Sequence, residues 1–397
     1  MFAFLLENQY CFILKYLSLM KSFYSLSLLL LLGTSCSQTT VLLVRNDSLE
    51  NRTMEMVSIP YDSEGSFVLL DSDGREVAYQ LTYDKQLIFQ SSVPANSVRN
   101  YRIKPGTPAK VETITTGKQY PERVDDIAWE NDRIAFRLYG PALAASGEKA
   151  YGYDIWAKRV ATPVVEERYR KELQDKITYH KDNGNGLDYY KVGPTLGAGT
   201  TALVGTGDSL LYPYCYETFK VLDNGPLRFT VELTYPARTI EGQANVVETR
   251  LLSLDAGTHL NRVSVRYKGL KRRMRVATGI VLHDSLSVEN GTISSVNNFI
   301  AYADPKSPVN GQQYIALYKK EGWDLVEPVY FGKEERKERG ALGHFIGFNF
   351  YEPGSSYTYY FGAGWSKWGF DKPNDWFLHM EKETNRLQSP LKVSFEE

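Results

Sequence analysis

Short stretches in which apolar and polar residues alternate dominate this chain, and turn-forming residues separate them. A period of two is typical of β-strands, because successive side chains point to opposite faces of a sheet. Glycine, proline, asparagine and aspartate bound most of these stretches, as expected for turns. The chain shows no regular alternation of strands with helices, which argues against a parallel α/β fold. The pattern therefore predicts an all-β protein built from antiparallel sheets.

The strand pattern divides into a small and a large part. In the first part, Asp73-Gly74 supplies the positive φ angles of a tight turn and predicts a hairpin. Its predicted strands are 67–70, 77–81, 87–89 and 98–103. We expect residues 39–110 to form a small β-sandwich. The proline- and glycine-rich segment 104–117 is the predicted linker.

The rest of the chain, residues 111–397, predicts a large antiparallel sandwich. Its predicted strands are 134–138, 227–235, 246–254, 263–267, 276–282, 314–318, 345–350 and 357–361. One convincing helix is predicted at 375–387, with Asn374 or Asp375 as its cap. The segment 137–230 is irregular and polar, and it contains ten of the 28 tyrosines. Because binding groups usually lie on such segments, we expect the functional site there.

The N-terminus predicts an export signal rather than part of the fold. Lys21 is followed by an apolar run and by small residues that end at Cys36. This arrangement resembles the lipobox of bacterial lipoproteins, which implies cleavage before Cys36 and lipidation of its thiol. We therefore expect residues 1–36 to contain the signal peptide with its lipobox, with translation starting at Met20 and the mature protein starting at Cys36. The mature protein is expected to be membrane-anchored and to face the periplasm. The alternative is a cleaved signal and a soluble product.

Charge and cysteine content limit the classes of function. Lysine plus arginine number 46 and aspartate plus glutamate 47, so the net charge of −1 gives no reason to expect a nucleic-acid partner. The three cysteines share no metal-ligand spacing, and Cys215 would be the one thiol left after lipidation. Twenty-eight tyrosines and six tryptophans suit both β-sheets and sugar-binding clefts.

A first group of candidate residues lies between positions 151 and 159. Rings beside charged donors are what sugar recognition needs, because the CH faces of a sugar stack on rings and its hydroxyls bind charged groups. The predicted substrate-binding residues here are Tyr153, Asp154, Trp156 and Lys158. The alternative is structural: Tyr153 faces a core, and Asp154 and Lys158 form a surface pair.

A second group, between positions 180 and 199, carries the predicted catalytic residues. A histidine near a carboxylate can act as a general acid or base near neutral pH. The predicted catalytic residues are His180, Asp182, Asp188 and Tyr189, and Lys191 is a predicted binding residue. The alternative is that residues 182–186 form a hairpin turn beside a surface histidine.

No cofactor is predicted, although calcium remains conceivable through Asp182, Asn185 and Asp188. An EF-hand is rejected because glycine occupies the third and fifth positions of a loop that starts at Asp182. Patterns typical of serine hydrolases and zinc peptidases are likewise missing from the sequence.

A third group is scattered along the sequence. An arginine in a cleft would bind a carboxylate through two parallel hydrogen bonds, which makes uronic acids a natural substrate class. The predicted binding residues of this group are Arg137, Arg228, His283 and Trp365. Each of them taken singly is more often structural. We predict no role for His259, His344 or His379.

Several blocks together resemble a known family. They are Arg137-Leu-Tyr-Gly-Pro141, Tyr153-Asp-Ile-Trp-Ala-Lys-Arg159, the run 180–199, Gly225-Pro-Leu-Arg228 and Leu254-Asp-Ala-Gly257. The chain is similar to an uncharacterised domain family of bacterial lipoproteins, whose members are typically encoded among polysaccharide-utilisation genes. The resemblance implies the supersandwich of galactose-mutarotase-like proteins for residues 111–397. It transfers no catalytic residues, and a fold of this kind does not define a reaction.

Three functions remain open from the sequence. The preferred one is an enzyme, a lyase or a glycoside hydrolase, that acts on uronic-acid-containing oligosaccharides of the pectin type. The second is a non-catalytic periplasmic lipoprotein that binds glycans through Trp156 or Trp365. The third is a sugar epimerase of the mutarotase type. In each case the expected partner is an oligosaccharide or sugar, and a lipid anchor holds the protein to the membrane.

Overall fold

The computed structural model describes residues 39–62 and 65–396, and the chain from Val41 onward forms one compact unit. The strands that pair within its five sheets run antiparallel, which confirms the predicted all-β fold. In this part of the chain, no helix has the length and apolar character needed to cross a membrane. The predicted signal peptide, residues 1–36 with Cys36, lies outside the described residues.

Two small sheets lie at the N-terminal end of the fold. Sheet I consists of β1 (Thr40–Asn46), β3 (Phe67–Leu70), β6 (Ser97–Pro105) and β26 (Lys392–Phe395). Sheet II consists of β2 (Arg52–Pro60), β4 (Tyr79–Leu81) and β5 (Gln86–Val93). Buried side chains from both sheets, such as Leu42, Val57 and Phe89, form one core. The C-terminal strand β26 pairs with β1, so residues from outside the 39–110 segment complete this sandwich.

The predicted turn at Asp73-Gly74 forms, but the hairpin does not continue beyond it. Gly74 has a φ of +80°, and the side chain of Asp71 accepts hydrogen bonds from the amides of Asp73 and Arg75. After one bridge between Leu70 and Glu76, the chain crosses to sheet II, where β4 pairs with β5. The two arms of the turn therefore lie in different sheets.

Three larger sheets make up the rest of the fold. Sheet III consists of β7 (Thr116–Tyr120), β8 (Asp126–Glu130), β9 (Ala135–Leu138), β10 (Asp154–Lys158) and β11 (Gly186–Asp188). Sheet IV consists of β12 (Ala198–Val204), β13 (Leu210–Leu211), β19 (Met274–Leu282), β23 (Leu325–Tyr330) and β24 (Gly343–Tyr351). Sheet V consists of β14 (Thr218–Asn224), β15 (Arg228–Thr234), β16 (Arg238–Ile240), β17 (Gln243–Asp255), β18 (Leu260–Lys268), β20 (Gly291–Ser294), β21 (Phe299–Ala303), β22 (Gln313–Tyr318) and β25 (Tyr357–Trp365).

Sheets III and IV share one core with sheet V. The Phe361 ring on sheet V stacks on Tyr153 at 4.2 Å and meets Phe136 edge-on at 5.3 Å, and both partners belong to sheet III or its border. Leu203 of sheet IV contributes to the same buried cluster. The large part of the fold is therefore a sandwich with sheet V on one side, as the resemblance implies.

The described residues contain four α-helices: α1 (Pro141–Ser146), α2 (Val165–Arg170), α3 (Lys333–Arg339) and α4 (Pro373–Gln388). Helix α4 covers the predicted helix 375–387, but its N-cap is Lys372 and not Asn374 or Asp375. Asp375 lies in the first turn and accepts a hydrogen bond from the amide of Lys372 at 3.2 Å. Its buried Trp376 and Met380 pack on the outer face of sheet V. Short helical turns are formed by Pro121–Arg123, Lys171–Asp175 and Thr206–Asp208.

Candidate functional site

The candidate site lies on the outer face of sheet III. Because side chains alternate along a strand, Asp126 points away from the core while Ile127 points into it. The strand register places Asp154 opposite Arg137, and Asp188 opposite Trp156. Six charged residues of β8 to β11 lie on this outer face: Asp126, Glu130, Arg137, Asp154, Lys158 and Asp188. A face so rich in charge would normally be exposed to solvent.

Here the face is covered by the segment that includes α2. Trp156 on β10 has no exposed surface, and its ring lies 4.9 Å from Tyr169 and 4.6 Å from Tyr179. Val165 belongs to the same buried cluster. The charged residues beneath this cover are therefore largely removed from water, which strengthens their mutual interactions.

Arg137 is surrounded by three carboxylates, which we call the Arg137 cluster. Its Nη2 lies 2.5 Å from Oδ2 of Asp154 and 2.9 Å from Oδ2 of Asp188, and Nη1 lies 3.7 Å from Oδ2 of Asp126. All four side chains are at most 7% exposed. Nε of Arg137 and Oδ1 of Asp126 have no hydrogen-bond partner among the described residues. One guanidinium thus faces three carboxyl groups, with a donor and an acceptor unused.

Burial changes the proton affinity of the cluster. Burial, followed by the nearby Asp188, raises the pKa of Asp154 to about 7, despite the opposing charge of Arg137. Burial likewise raises the pKa of Asp126 to about 6 and also raises the pKa of Asp188. The cluster therefore holds a proton near neutral pH, a property that is common at catalytic sites.

His180 is the exposed member of the site. Its side chain is 54% exposed, and its Nδ1 lies 3.0 Å from the backbone carbonyl oxygen of Asp188 and 3.7 Å from Oδ2 of the same residue. A proton on Nδ1 donates to that carbonyl, which leaves the lone pair on Nε2. His180 and Arg137 therefore both contact Asp188, and the structure brings together these two residues predicted from distant parts of the sequence.

Two partly exposed residues at this site were not predicted from the sequence. Arg123 donates from Nε to the hydroxyl of Tyr179 at 2.8 Å, and the Tyr179 ring lies 4.6 Å from the His180 ring. The hydroxyl of Tyr139 lies 3.4 Å from Nη2 of Arg137. Burial raises the pKa of Tyr139 well above its usual range, so its hydroxyl remains a proton donor.

Arg137 is not available to bind a substrate carboxylate in the way the sequence suggested. Its guanidinium already contacts three carboxylates, and a fourth would add repulsion in a buried region. Arg123 is the better candidate, because it is partly exposed and its hydrogen bond goes to a neutral hydroxyl. The sequence contains one clue to the missed Asp126: it lies four residues before Glu130 with apolar residues between them, so both acids share one face if the segment is a strand.

The spacing of the carboxylates bears on hydrolysis. The Oδ2 atoms of Asp154 and Asp188 contact the same Nη2 atom, so their separation cannot exceed the two contact distances together. This is below the ~6.5 Å at which the carboxyl spacing of inverting glycosidases begins, but it does not exclude the ~5–5.5 Å of retaining ones. Burial decides the question, because Asp154 has no exposed surface. A pair of acids that flanks an open bond is therefore not what this cluster offers.

Asp182 stabilises a turn, which is the alternative interpretation of that segment. Its Oδ1 accepts hydrogen bonds from the amides of Gly184 and Gly186, and its Oδ2 accepts one from Arg159. Burial alone would raise its pKa, but these hydrogen bonds lower the pKa. Gly186 has a φ of +104°, and a Cβ there would lie 2.1 Å from the backbone oxygen of Ala157. Glycine is needed at this position for β11 to approach β10.

The residues considered for calcium do not share a site. Asp182 contacts Arg159, Asn185 accepts a hydrogen bond from Arg168, and Asp188 contacts Arg137. In the part of the chain that the structure describes, no group of three or more histidine, cysteine, aspartate and glutamate side chains is placed to hold a metal ion.

Lys158 and Glu130 form a buried ion pair. Nζ of Lys158 lies 2.6 Å from Glu130, and both side chains are at most 1% exposed. Glu130 also accepts hydrogen bonds from the amides of Val164 and Val165 at the start of α2. Lys158 therefore helps to hold the segment that covers sheet III, and it does not lie on a surface where a sugar could bind.

The aromatic residues predicted to bind sugar are buried as well. Tyr153 and Trp156 have no exposed surface, and Trp365 is 1% exposed and donates to the carbonyl of Asn310. The Tyr189 hydroxyl is buried without a hydrogen-bond partner among the described residues, and its ring packs with Trp365. The rings of Tyr153, Trp156 and Trp365 therefore present no stacking face in this structure.

The remaining predicted residues lie apart from the Arg137 cluster. His283 contacts Asp304 at 2.7 Å and the carbonyl of Lys191 at 2.9 Å, while the Lys191 residue itself is exposed. Arg228 binds Asp255 through two contacts of 2.6 and 2.8 Å. Arg228 lies on sheet V, where its backbone meets Gln80, so it does not join His180.

The raised pKa values predict a pH dependence of stability. A carboxyl whose pKa is raised in the folded state stabilises the fold below its unfolded pKa of 3.8, and this contribution is lost as pH rises through its folded pKa. We expect the melting temperature of Asp154→Asn minus that of the parent to rise from pH 6.5 to 8.5, because the titration of Asp154 is absent from the variant. Thermal melts of both proteins over this pH range test the expectation. An equal change of melting temperature with pH in the two proteins would contradict it. The buried His259, His344 and His379 have lowered pKa values and act in the opposite direction around pH 6.5, but they do so in both proteins, so the comparison with the variant isolates Asp154.

Comparisons with solved structures concern the fold. An α-mannosidase from Enterococcus faecalis is similar with a TM-score of 0.50 and 10% identity over 90% of this chain and 46% of that one. A protein of glycosyl hydrolase family 38 from the same organism has a TM-score of 0.49, 11% identity and coverage of 90% and 47%. The chain spans about half the length of these proteins, and at such low identity the first likeness shows the β-rich fold alone.

Comparisons of sequence cover almost the whole chain. "Uncharacterized protein P7" of Formosa agariphila is 24% identical over 371 residues, which is 91% of this chain and 88% of that protein. Residues 44–393, which include every element of the candidate site, match the model of a domain family of unknown function. Since that match spans most of the chain, the protein belongs to the DUF4861 family.

Proposed function

We propose that this protein is a carbohydrate-active enzyme that uses His180 as a general base on an acidic oligosaccharide. The observation that carries the proposal is an exposed imidazole held by Asp188, which itself belongs to the Arg137 cluster. A histidine oriented through Nδ1 can take a proton at Nε2, and such catalysis contributes about 10²- to 10⁴-fold. The likeness to an α-mannosidase fold is compatible with a sugar substrate.

The reaction that suits these groups best is β-elimination from a uronic acid. Arg123 pairs with the substrate carboxylate and makes the neighbouring C5–H bond more acidic. His180 takes that proton, the C4–O bond breaks, and a C4=C5 double bond forms. The leaving oxygen needs a proton, which Tyr139 supplies, because its raised pKa keeps the hydroxyl protonated.

The other functions open from the sequence are less well supported. Hydrolysis by two carboxylates would require Asp154 to contact the sugar, but this residue has no exposed surface. A glycan-binding module would need Trp156 or Trp365 as a stacking ring, and both are buried. A mutarotase-type epimerase would use the same acid and base, so it is kept as an outcome of the test. The lipid anchor at Cys36 and the periplasmic location stay predictions from the sequence.

One incubation distinguishes these reactions. The purified protein is given pectic oligosaccharides, and the absorbance of unsaturated uronides, the reducing ends and the optical rotation are followed together. We expect absorbance and reducing ends to rise in parallel. Reducing ends without absorbance would indicate hydrolysis, and a change in rotation alone would indicate epimerisation. No change in any of the three signals would overturn the proposal of an enzyme.

A further inference from the structure

A second concavity lies where sheet II, sheet V and helix α4 meet. It encloses about 760 Å³, a volume within the range of ligand sites, which often occur at such junctions. Residues that line it and matter here are Arg228, His259, Arg262, His379, Lys382 and Arg386. None of the residues of the Arg137 cluster, nor His180, lines it. We call it the junction cavity.

Two histidines of the junction cavity have unused polar atoms. His259 is 8% exposed, and its ring lies 4.9 Å from the ring of His379. Nδ1 of His259 and Nε2 of His379 are buried and have no hydrogen-bond partner among the described residues. Because buried polar atoms normally find a partner, these two nitrogens are available to hydrogen-bond a polar ligand that enters the cavity.

Burial lowers the pKa of both imidazoles, that of His379 to about 4. Both rings are therefore neutral at physiological pH, and each has one nitrogen that donates and one that accepts a hydrogen bond. Hydroxyl groups, which donate and accept, are suited to such partners.

The charges of the junction cavity leave two cations unpaired. Arg228 pairs with Asp255, Arg386 with Glu383, and Arg133 with Asp132. Within the described residues, Arg262 and Lys382 have no carboxylate at salt-bridge distance, although Arg262 contacts the hydroxyl of Tyr360. Both are exposed at the cavity, so an anionic group could bind there without displacing a protein carboxylate.

We propose that the junction cavity is a second glycan site, which binds a saccharide segment that carries a carboxylate. Arg262 and Lys382 bind the carboxylate, and the two imidazoles exchange hydrogen bonds with sugar hydroxyls. The inference rests on the proposed function, because it takes the substrate class from there. A second site would raise the effective concentration of a long chain at His180 without any new contact at the reacting bond.

The test measures binding of tetragalacturonate by calorimetry, with neutral cellotetraose for comparison. All proteins carry His180→Gln, so that the ligand is not consumed. The test variant adds Arg262→Gln and Lys382→Gln, and both positions are exposed, so the fold should tolerate the changes. The matched control adds Arg266→Gln, which is exposed on the same strand four residues away and does not line the cavity.

We expect the double substitution to remove one tetragalacturonate binding event, with a Kd at least about tenfold higher, because two charge-assisted contacts are lost. The Arg266→Gln control should bind as its parent does, and cellotetraose should bind at least tenfold more weakly. Equal affinity of the double variant and its parent overturns the proposal. So does displacement of tetragalacturonate by an equal concentration of inorganic phosphate, which would indicate a site for simple anions.

The failure of this proposal and that of the proposed function can be told apart. With His180 intact, the double variant should still turn over short oligosaccharides at the parental rate, since the junction cavity contains no residue of the reacting site. If no oligosaccharide is turned over but tetragalacturonate binds through Arg262 and Lys382, the enzyme proposal fails and the second site stands. If turnover is normal and the double substitution leaves binding unchanged, the enzyme proposal stands and the second site fails.

Discussion

Replacing His180 with alanine is expected to lower kcat/KM on an acidic oligosaccharide by about 10²- to 10⁴-fold, because the general base is removed. The fold should be unaffected, since the side chain is 54% exposed and exposed substitutions usually change stability by less than about 0.5 kcal/mol. Initial rates at several substrate concentrations, together with a thermal melt, check both parts. His180→Gln should be as inactive as the alanine variant, because glutamine can donate to the Asp188 carbonyl but cannot take a proton.

Lys181→Ala is the matched control, because this residue is exposed and adjacent in sequence. It should keep the parental kcat/KM to within a few fold. If His180→Ala lost no more activity than Lys181→Ala, His180 would not be the base. If glutamine at 180 restored most of the activity, the histidine would act through its hydrogen bond to Asp188 and not by proton transfer.

Arg137→Met is expected to lower the free energy of unfolding by about 3–5 kcal/mol. Removing one partner of a buried ion pair leaves the other uncompensated, and here three carboxylates lose their common cation. Urea unfolding followed by tryptophan fluorescence measures the change, with Trp156 as a nearby reporter. Adding Asp154→Asn and Asp188→Asn to Arg137→Met should recover part of the loss, because fewer buried carboxylates then need compensation.

Arg159→Met provides the control. Arg159 also pairs with an aspartate, Asp182, but its side chain is 43% exposed, and exposed pairs contribute about 0–1 kcal/mol. Losses of similar size for Arg137→Met and Arg159→Met would contradict the description of the Arg137 cluster as a buried network. A further loss when the asparagines are added would contradict it as well.

Local patterns were sufficient to predict the type of structure. The period of two along segments such as 263–267 indicates a strand directly, because it depends only on neighbouring residues. The helix at 375–387 was predicted from the polar residues at its start, although its N-cap is Lys372 and not Asn374 or Asp375. Helix α2 was not predicted from the sequence, because it has only six residues and its start is held by Glu130, which lies on the distant strand β8.

Partners that are distant in sequence were harder to predict. Arg137, Asp154, His180 and Asp188 come together because β9, β10 and β11 are adjacent in sheet III. That order depends on which strands pair, and a single sequence does not encode it in any local pattern. For the same reason Arg228 was grouped with these residues, although its strand belongs to sheet V.

Burial was also invisible in the sequence. Tyr153, Trp156 and Trp365 have the ring types that bind sugars, but rings of this kind are as useful in a core. His259 and His379, for which the sequence predicted no role, line the junction cavity instead. What separates a binding ring from a core ring is its exposure, and that depends on the complete fold.

A crystal structure of the His180→Gln variant with tetragalacturonate tests the central claim most directly. We expect a sugar in contact with the side chain at position 180, with its carboxylate at Arg123. The reacting C5 and the glycosidic oxygen should lie between this side chain and Tyr139. A tetragalacturonate bound elsewhere, with position 180 and Arg123 free of contacts, would contradict the account.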